Sequence, residues 1–198
     1  MNSFDIFGYH LINQWAGHYP ALDKLMAFFA QYALELYAVL FLVAWFTLPK
    51  SDSDRRHALV VTGFSGVLAL VINVVIGQFF FRPRPFVALE KGTFTQLIPH
   101  SFDTSFPSDH TSGSFGFAAG SWKKASFWVR WSFTILAILV AFSRIYTGVH
   151  WPTDVIASVV IGIISAKIVW LINPVLKPLT NLVLRLFRYG KYSKVTQN

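Results

Sequence analysis

The sequence predicts an all-α integral membrane protein, a bundle of about five transmembrane helices in a single domain. Hydrophobic residues make up 54% of the 198 residues and charged residues only 13%, whereas a soluble domain carries about 25% charged residues. The apolar residues are gathered into runs, and a bilayer is crossed by a helix of roughly 20 such residues. Short polar or proline-containing segments separate the runs, as expected of membrane helices joined by loops.

Five apolar runs are predicted to span the membrane. They cover residues 24–48, 58–81, 108–122, 127–143 and 152–172. Residues 1–22 mix apolar and polar side chains, which favours a helix lying at the membrane interface rather than crossing it. The chain ends in a basic amphipathic tail, a pattern typical of a segment resting on an anionic leaflet. The longest polar segment is the loop 82–107.

The formal charge of +8 is concentrated in the loop 50–56, in the pair Lys123-Lys124 and in the C-terminal tail. Because lysine and arginine are retained in cytoplasmic loops, five spans place these three basic segments together on the cytoplasmic side. The loop 82–107 and the turn 144–151 then share the outer face. Membrane lipids are the expected partners of the basic segments, and no nucleic acid is expected, since no basic-aromatic module accompanies the charge.

Three polar islands lie beside the apolar runs. They are Arg82-Pro83-Arg84-Pro85, then Pro107-Ser108-Asp109-His110, then Ser143-Arg144 followed by His150 and Asp154. Ionisable groups are costly near hydrocarbon, so their presence there indicates a functional site. The predicted orientation brings all three islands to the outer face, and arginine, serine and histidine together suit a site that handles phosphate.

The third island suggests a nucleophile. Pro152 suits the first turn of a helix, and His150 and Asp154, four residues apart, would then lie on one helix face. A carboxylate in that position can accept one ring N–H and leave the other nitrogen free to attack. The alternative is a helix-capping histidine with an ordinary partner one turn away, and this island alone does not decide between the two.

The other islands supply groups that bind or protonate. Ser108 and the N–H groups at a helix start could bind phosphate oxygens, and His110 could protonate a leaving oxygen. Arg82 and Arg84 carry two guanidiniums whose geometry matches phosphate. The alternatives are a plain Ser/Asp helix cap and a membrane-boundary turn. The sequence has no cysteine, and its histidines and carboxylates have no convincing metal-ligand spacing, so no metal is predicted. The remaining histidines are predicted at the surface: His10, His18, His57 and His100.

Together the islands resemble the signature of the type-2 phosphatidic acid phosphatase superfamily, which reads Lys-x6-Arg-Pro, Pro-Ser-Gly-His and Ser-Arg-x5-His-x3-Asp. The third part is complete, the second has Asp109 in place of glycine, and the first keeps Arg84-Pro85 while its lysine position falls on Gly77. The motifs cover roughly residues 77–154. The Arg-Pro-Arg-Pro-Phe run, the Pro-Ser-Asp-His run and the small size are most similar to the bacitracin-resistance branch, the undecaprenyl-diphosphate phosphatases of bacterial cytoplasmic membranes.

The resemblance implies a role for each site residue. His150 would attack phosphorus and become phosphorylated, Asp154 would orient it, and His110 would protonate the leaving group and then activate water. Three side chains would bind the phosphoryl oxygens: Arg84, Ser108 and Arg144. Arg82 or Lys91 would take the place of the missing lysine. Asp109 would either face away from the phosphate or select between monophosphates and diphosphates.

The implied reaction is hydrolysis of a polyprenyl diphosphate lipid, undecaprenyl diphosphate, to undecaprenyl phosphate and inorganic phosphate at the outer face of the membrane, without a cofactor. It would recycle the cell-wall carrier lipid and confer bacitracin resistance. Two alternatives stay open. One is a phosphatase of phosphatidylglycerophosphate or phosphatidic acid, and the other is a lipid-binding protein or transporter without hydrolysis, which the absence of an internal repeat disfavours.

Overall fold

The computed structural model describes residues 2–192, and all regular structure in that range is helical. The helices are α1 Ser3–Asn13, α2 Pro20–Gln31, α3 Ala33–Thr47, α4 Ser53–Phe79, α5 Pro85–Ala88, α6 Asp109–Ser121, α7 Phe127–Tyr146, α8 Pro152–Leu171 and α9 Asn173–Leu186. A short 3-10 turn, Gly190–Tyr192, follows α9. The end of the predicted basic tail, residues 193–198, lies outside the described residues.

The all-α membrane fold is confirmed, but the number of spans differs from the prediction. By length and composition α4, α7 and α8 can each cross a bilayer, and α2 with α3 makes a fourth candidate span that is bent by 71°. The predicted third span is α6, which has only 13 residues. At a rise of about 1.5 Å per residue it is roughly 20 Å long, short of the roughly 30 Å of a bilayer core. The described residues thus contain three or four candidate spans rather than five.

The first predicted run, 24–48, is interrupted where α2 ends at Gln31. The last carbonyls of a helix have no partner within it. One of them, the Ala30 carbonyl, accepts a hydrogen bond of 2.8 Å from the guanidinium of Arg144 on α7. The break in the apolar run therefore supplies an acceptor for a buried cation.

α6 lies at the centre of the bundle, between α4 and α8, and glycine makes this packing possible. A methyl group added to Gly162 of α8 would lie 2.7 Å from the backbone nitrogen of Gly116 on α6. One added to Gly116 would lie 2.8 Å from the Ser65 carbonyl oxygen on α4. Because the three backbones touch, α6 is enclosed by protein and does not need the uniformly apolar surface of a lipid-facing helix.

The bundle has two chemically different ends. The basic segments meet at one of them, which we call the basic end: the Gly190 N–H donates to the Lys50 carbonyl, and the Lys123 ammonium lies 5.0 Å from the ring centre of Trp170. At the opposite end, which we call the site end, lie the C-terminal ends of α4 and α7 and the N-terminal ends of α6 and α8. The loop 89–108 covers the site end, and α1 packs beside it against α7 and α8.

Candidate active site

A cavity of about 280 Å³ lies at the site end. Its lining residues are Asn73, Val74, Gly77, Gln78, Arg84, His100, Asp103, Thr104, Phe106, Pro107, Asp109, His110, Arg144 and His150. Each of the three polar islands contributes to it, although they are far apart in the sequence. The predicted convergence of the islands at one end of the bundle is therefore seen in the structure.

His150 is held as a neutral imidazole with a defined tautomer. It lies in the turn between α7 and α8 and is only 2% exposed. Its Nδ1 lies 2.8 Å from the Ser105 carbonyl oxygen, which can only accept, so Nδ1 carries the proton and Nε2 has a free electron pair. Burial, and then the positive charges of Arg144 and Arg84, keep the pKa of His150 well below its ordinary value.

Two guanidiniums converge on the unprotonated Nε2 of His150. NH1 of Arg84 lies 3.2 Å from it, and NH2 of Arg144 lies 3.3 Å from it. Both arginines are at least 96% buried, because Arg84 is 4% exposed and Arg144 is 2% exposed. Two donors aimed at one unprotonated ring nitrogen are suitably placed to receive the oxygens of a phosphoryl group that binds there.

The remaining N–H groups of Arg84 fix its orientation. Its NH1 also donates to the Val149 carbonyl at 2.9 Å, its NH2 to the Thr104 carbonyl at 3.0 Å, and its Nε to the Asp103 carboxylate at 2.9 Å. NH2 lies 2.8 Å from the same Asp103 oxygen. Arg84 is thus anchored to the loop before α6 and to the turn before α8, with one N–H left for His150.

Asp154 contacts His150 indirectly. The expected direct hydrogen bond to His150 is not formed, because Oδ2 of Asp154 lies 3.7 Å from Nδ1 while the Ser105 carbonyl takes the proton. Asp154 instead accepts from the Ser105 hydroxyl and from the backbone N–H of Trp151 at 2.9 Å. Ser105 therefore bridges the two residues, and Asp154 also caps the first turn of α8.

Two residues predicted as phosphate ligands, Arg82 and Ser108, do not line the cavity. The guanidinium of Arg82 pairs with the carboxylates of Asp154 and of Asp5 on α1, which joins the N-terminal helix to α8. The hydroxyl of Ser108 lies 3.0 Å from that of Thr111 inside α6. Both side chains make structural contacts with other residues of the fold. The local sequence does not reveal these contacts.

His110 and Asp109, in the first turn of α6, both line the cavity. Oδ1 of Asp109 accepts from the side-chain amide of Asn73 on α4 at 2.9 Å, and the Ser112 hydroxyl donates to the Asn73 oxygen at 3.1 Å. Asn73 thus aligns the Asp109 carboxylate at the edge of the cavity. Asp109 therefore does not face away from the site, which was one of the two possibilities for this residue.

The position of the missing motif lysine, Gly77, faces the cavity. A methyl group added there would meet only the Thr104 side chain, at an ordinary contact distance of 3.6 Å. Neither suggested replacement, Arg82 or Lys91, lines the cavity. The glycine therefore leaves space where the superfamily signature has a cation, and no lysine occurs in the lining.

Several residues at the site were missed by sequence reasoning. His100 was predicted at the surface, yet its ring centre lies 6.2 Å from that of His150. Asp103, Asn73 and Ser105 were not singled out either. Asn73 had a usable signal, a polar side chain inside an apolar run, whereas His100, Asp103 and Ser105 belong to a loop without periodicity.

Within residues 2–192 no group of three or more His, Asp or Glu side chains has the arrangement of a metal site. Of the carboxylates at the site, Asp103 pairs with Arg84, Asp154 pairs with Arg82 and caps α8, and Asp109 accepts from Asn73. The cavity is lined by three imidazoles, those of His100, His110 and His150, and by two guanidiniums, a set that suits phosphoryl transfer.

A sequence model of the PAP2 superfamily fits residues 58–177, a range that contains all three polar islands. The chain belongs to the PAP2 superfamily and is a multi-pass membrane lipid phosphatase. It is 36% identical over 185 residues to the undecaprenyl-diphosphatase BcrC of Bacillus subtilis (strain 168), covering 93% of this chain and 91% of the relative. It is 29% identical over 165 residues to the putative undecaprenyl-diphosphatase YbjG of Escherichia coli (strain K12), covering 82% and 80%.

Solved structures agree with this fold. The crystal structure of Aquifex aeolicus LpxE superposes with a TM-score of 0.70 at 27% identity and covers 85% of this chain and 96% of that one. The transmembrane PAP2-type phosphatidylglycerolphosphate phosphatase of Bacillus subtilis gives a TM-score of 0.64 at 20% identity, covering 86% and 84%. At the lower identity the likeness concerns the fold alone.

Proposed function

We propose that this protein hydrolyses undecaprenyl diphosphate to undecaprenyl phosphate and inorganic phosphate through a phosphohistidine at His150. One observation carries the proposal: the unprotonated Nε2 of a buried histidine lies within 3.3 Å of a nitrogen of both Arg84 and Arg144. The relative that is 36% identical and is named undecaprenyl-diphosphatase supports the choice of substrate.

In the first step Nε2 of His150 forms a bond to the terminal phosphorus of the diphosphate. The bond from that phosphorus to the bridging oxygen breaks, and His110 gives its proton to this oxygen, which leaves with undecaprenyl phosphate. Burial, and then the charge of Arg144, lower the pKa of His110 to about 3 in the free protein, so His110 takes up this proton when the negative charge of the bound diphosphate raises its pKa. The N–H groups of Arg84 and Arg144 that face Nε2 now donate hydrogen bonds to the phosphoryl oxygens and stabilise their charge. The Ser105 carbonyl keeps accepting from Nδ1 and stabilises the positive charge that the ring acquires.

In the second step His110, now neutral, removes a proton from a water molecule. The water oxygen attacks phosphorus and the bond to Nε2 of His150 breaks, which releases inorganic phosphate and restores the free imidazole. The step consumes one water and needs no further reactant. Because His110 lies in the first turn of α6 and lines the same cavity, it is the available acid and base.

The site end is assigned to the outer face of the bacterial cytoplasmic membrane. The clustering of Lys50, Lys123 and the C-terminal segment at the basic end supports this, since cytoplasmic loops retain lysine and arginine. The sequence has no cysteine, so single Glu90→Cys and Lys124→Cys variants can be labelled in intact cells with a membrane-impermeant maleimide. Labelling of position 90 but not 124 is expected, and the reverse pattern would place the site in the cytoplasm.

Removal of undecaprenyl diphosphate also removes the target of bacitracin, so production of the protein should raise the bacitracin concentration that a sensitive bacterium tolerates. His150→Ala should abolish this protection, whereas His18→Ala, at an exposed histidine, should not. Equal protection by the His150 variant at the same expression level would separate the resistance from hydrolysis.

The direct test is phosphate release by the detergent-purified protein, in EDTA, from undecaprenyl diphosphate, phosphatidylglycerophosphate and phosphatidic acid. We expect release mainly from the prenyl diphosphate, no release by His150→Ala and full release by His18→Ala. Preference for a glycerolipid would replace the proposed substrate. No release from any of the three lipids would contradict hydrolysis and favour a lipid-binding protein, and release lost in EDTA would contradict the metal-free route.

A further inference from the structure

Arg144 is held in place in part by His100, a residue that has no role in the proposed mechanism. Its NH1 donates to the Ala30 carbonyl, which anchors the guanidinium to α2. Its NH2 lies 3.3 Å from Nε2 of His150 and 2.9 Å from Nε2 of His100. This nitrogen carries two hydrogens, so one is directed at the nucleophile and the other at His100.

His100 can make this contact in only one protonation state. A guanidinium donates and never accepts, so Nε2 of His100 is unprotonated and Nδ1 carries the proton. Nδ1 faces the Asp103 carboxylate, 3.7 Å away, and the Ser101 hydroxyl, 3.5 Å away. Burial, and then the charges of Arg84 and Arg144, lower the pKa of His100 to about 4, so the ring is neutral at ordinary pH.

The second arginine is arranged in the same way. Asp103, three residues after His100, accepts from Nε of Arg84 and lies 2.8 Å from its NH2, while NH1 of Arg84 faces Nε2 of His150. One short segment of the loop 89–108 therefore contacts both guanidiniums, and at Arg144 it contacts the same NH2 that faces His150. Each arginine keeps one N–H at Nε2 of His150, where the phosphoryl oxygens arrive.

We propose that His100 is a positioning residue of the phosphate site. By accepting from NH2 of Arg144 it directs the other hydrogen of that nitrogen towards the phosphoryl group on His150. Rotation of the guanidinium would cost that hydrogen bond, so the donor is in place before the negative charge develops. The role rests on the proposed function only for the identity of the phosphate ester, since any phosphoryl group at Nε2 meets the same two donors.

The test measures binding of orthovanadate, which adopts the five-coordinate geometry of phosphoryl transfer, by calorimetry on the detergent-purified full chain. His100→Phe keeps a flat ring without an acceptor, and His100→Gln places an amide oxygen near the position of Nε2. Loss of one hydrogen bond to a charged group predicts weaker vanadate binding by about tenfold to a hundredfold in the Phe variant. The Gln variant should bind vanadate within about threefold of the wild type, and the exposed control His18→Phe should bind it as tightly as the wild type.

A purely structural role for His100 would lower the melting temperature of both variants without this rescue. Vanadate binding by His100→Phe equal to that of the wild type would overturn the proposal, as would a Gln variant no better than the Phe variant at equal melting temperature. A wild-type protein that binds no vanadate would overturn it too. Vanadate contains no lipid, so a wild type that binds it but leaves undecaprenyl diphosphate intact refutes the substrate and not the positioning role.

A measurement on the wild type covers the case in which the Phe variant does not fold. Nitrogen-15 spectra of histidine-labelled protein report which ring nitrogen of His100 is protonated, with the assignment made by loss of the signal in His100→Gln. The positioning role requires the proton on Nδ1 at neutral pH. A proton on Nε2, or a doubly protonated ring, would contradict it.

Discussion

Buried arginines at the two ends of the bundle differ in what their N–H groups contact. At the basic end Arg56 is 0% exposed, and its terminal nitrogens donate to four backbone carbonyls, those of Trp45, Leu48, Pro49 and Asp52. The guanidinium carbon lies 4.0 Å from the ring centre of Tyr189. Arg56 thus caps the C-terminal end of α3, where a positive charge is favourable, and joins the C-terminal segment to it.

At the site end, Arg84 and Arg144 do not donate all of their N–H groups to backbone carbonyls. Each directs one N–H at Nε2 of His150, a titratable group on the wall of a cavity. Burial and positive charge therefore do not by themselves identify a functional arginine. A functional arginine is identified by the groups that its N–H groups contact. An N–H that faces a replaceable partner can instead donate a hydrogen bond to a substrate.

The largest effect is expected at the site end, from Arg144→Lys. A lysine keeps the charge but has a single nitrogen, which cannot contact the Ala30 carbonyl, His100 and His150 together. Loss of one preorganised donor predicts a decrease of kcat by about a hundredfold to a thousandfold, measured as phosphate release from undecaprenyl diphosphate.

The matched control is Arg130→Lys, near the start of the same helix, for which kcat should be unchanged. Equal loss in the two variants would mean that α7 as a whole tolerates no such substitution, and the distinction between the ends would fail.

The next effect concerns stability. Arg56→Met removes charge-assisted hydrogen bonds to four backbone carbonyls, so the free energy of unfolding should decrease by about 3 kcal/mol. The kcat of the folded variant should stay at the wild-type value, because Arg56 is absent from the cavity lining. Thermal melting and phosphate release at a temperature where the variant is folded check the two statements. A decrease in kcat without a decrease in melting temperature would contradict the structural role.

A smaller effect is expected from Asp103→Leu, which removes the carboxylate that anchors Arg84. The side chain is 57% exposed, so solvent screens the ion pair, and exposed pairs contribute up to about 1 kcal/mol. We expect kcat/KM to decrease by no more than about fivefold, whereas Glu90→Leu, at a residue outside the cavity lining, should leave it unchanged. A loss comparable to that of Arg144→Lys would show that the loop contributes more than orientation.

A further effect is a pH dependence of stability. The folded protein holds the pKa of His100 at about 4, below its ordinary 6.5, through burial and the charges of Arg84 and Arg144, with Asp103 acting in the opposite direction. Between these values the unfolded chain binds more protons, so stability should decrease as the pH falls from about 6.5 towards 4. Melting temperatures across that range should fall less steeply for His100→Gln than for the wild type. An unchanged slope would mean that His100 is not kept neutral.

The sequence was sufficient for the main chemical groups. Arg84, His110, Arg144 and His150 were expected at one end because they border successive apolar runs, and helices that cross a bundle return alternate ends to the same face. That argument depends only on local composition and on the order of elements. It places side chains near a surface without specifying which atoms they contact.

The parts that were missed depend on tertiary contacts. His100 contacts Arg144 across 44 positions of the chain, and no local pattern distinguishes it from a surface histidine. Arg82 and Arg84 look equivalent in the sequence, but only α1 supplies the Asp5 that removes Arg82 from the site. The break after Gln31 likewise arises in an apolar run without a helix breaker, where a buried cation needs a carbonyl.

The most direct test of the account is to look for phosphate on His150. The purified enzyme is mixed with undecaprenyl diphosphate labelled in its terminal phosphate, stopped within a single turnover in base, which preserves phosphohistidine, and digested. We predict transient label on the peptide that contains His150. In His110→Ala the label should form more slowly, because the leaving oxygen is not protonated, and should last longer, because water is no longer activated. Label that passes directly to inorganic phosphate, with none on the protein in either form, would contradict the phosphohistidine and with it the central role of Nε2.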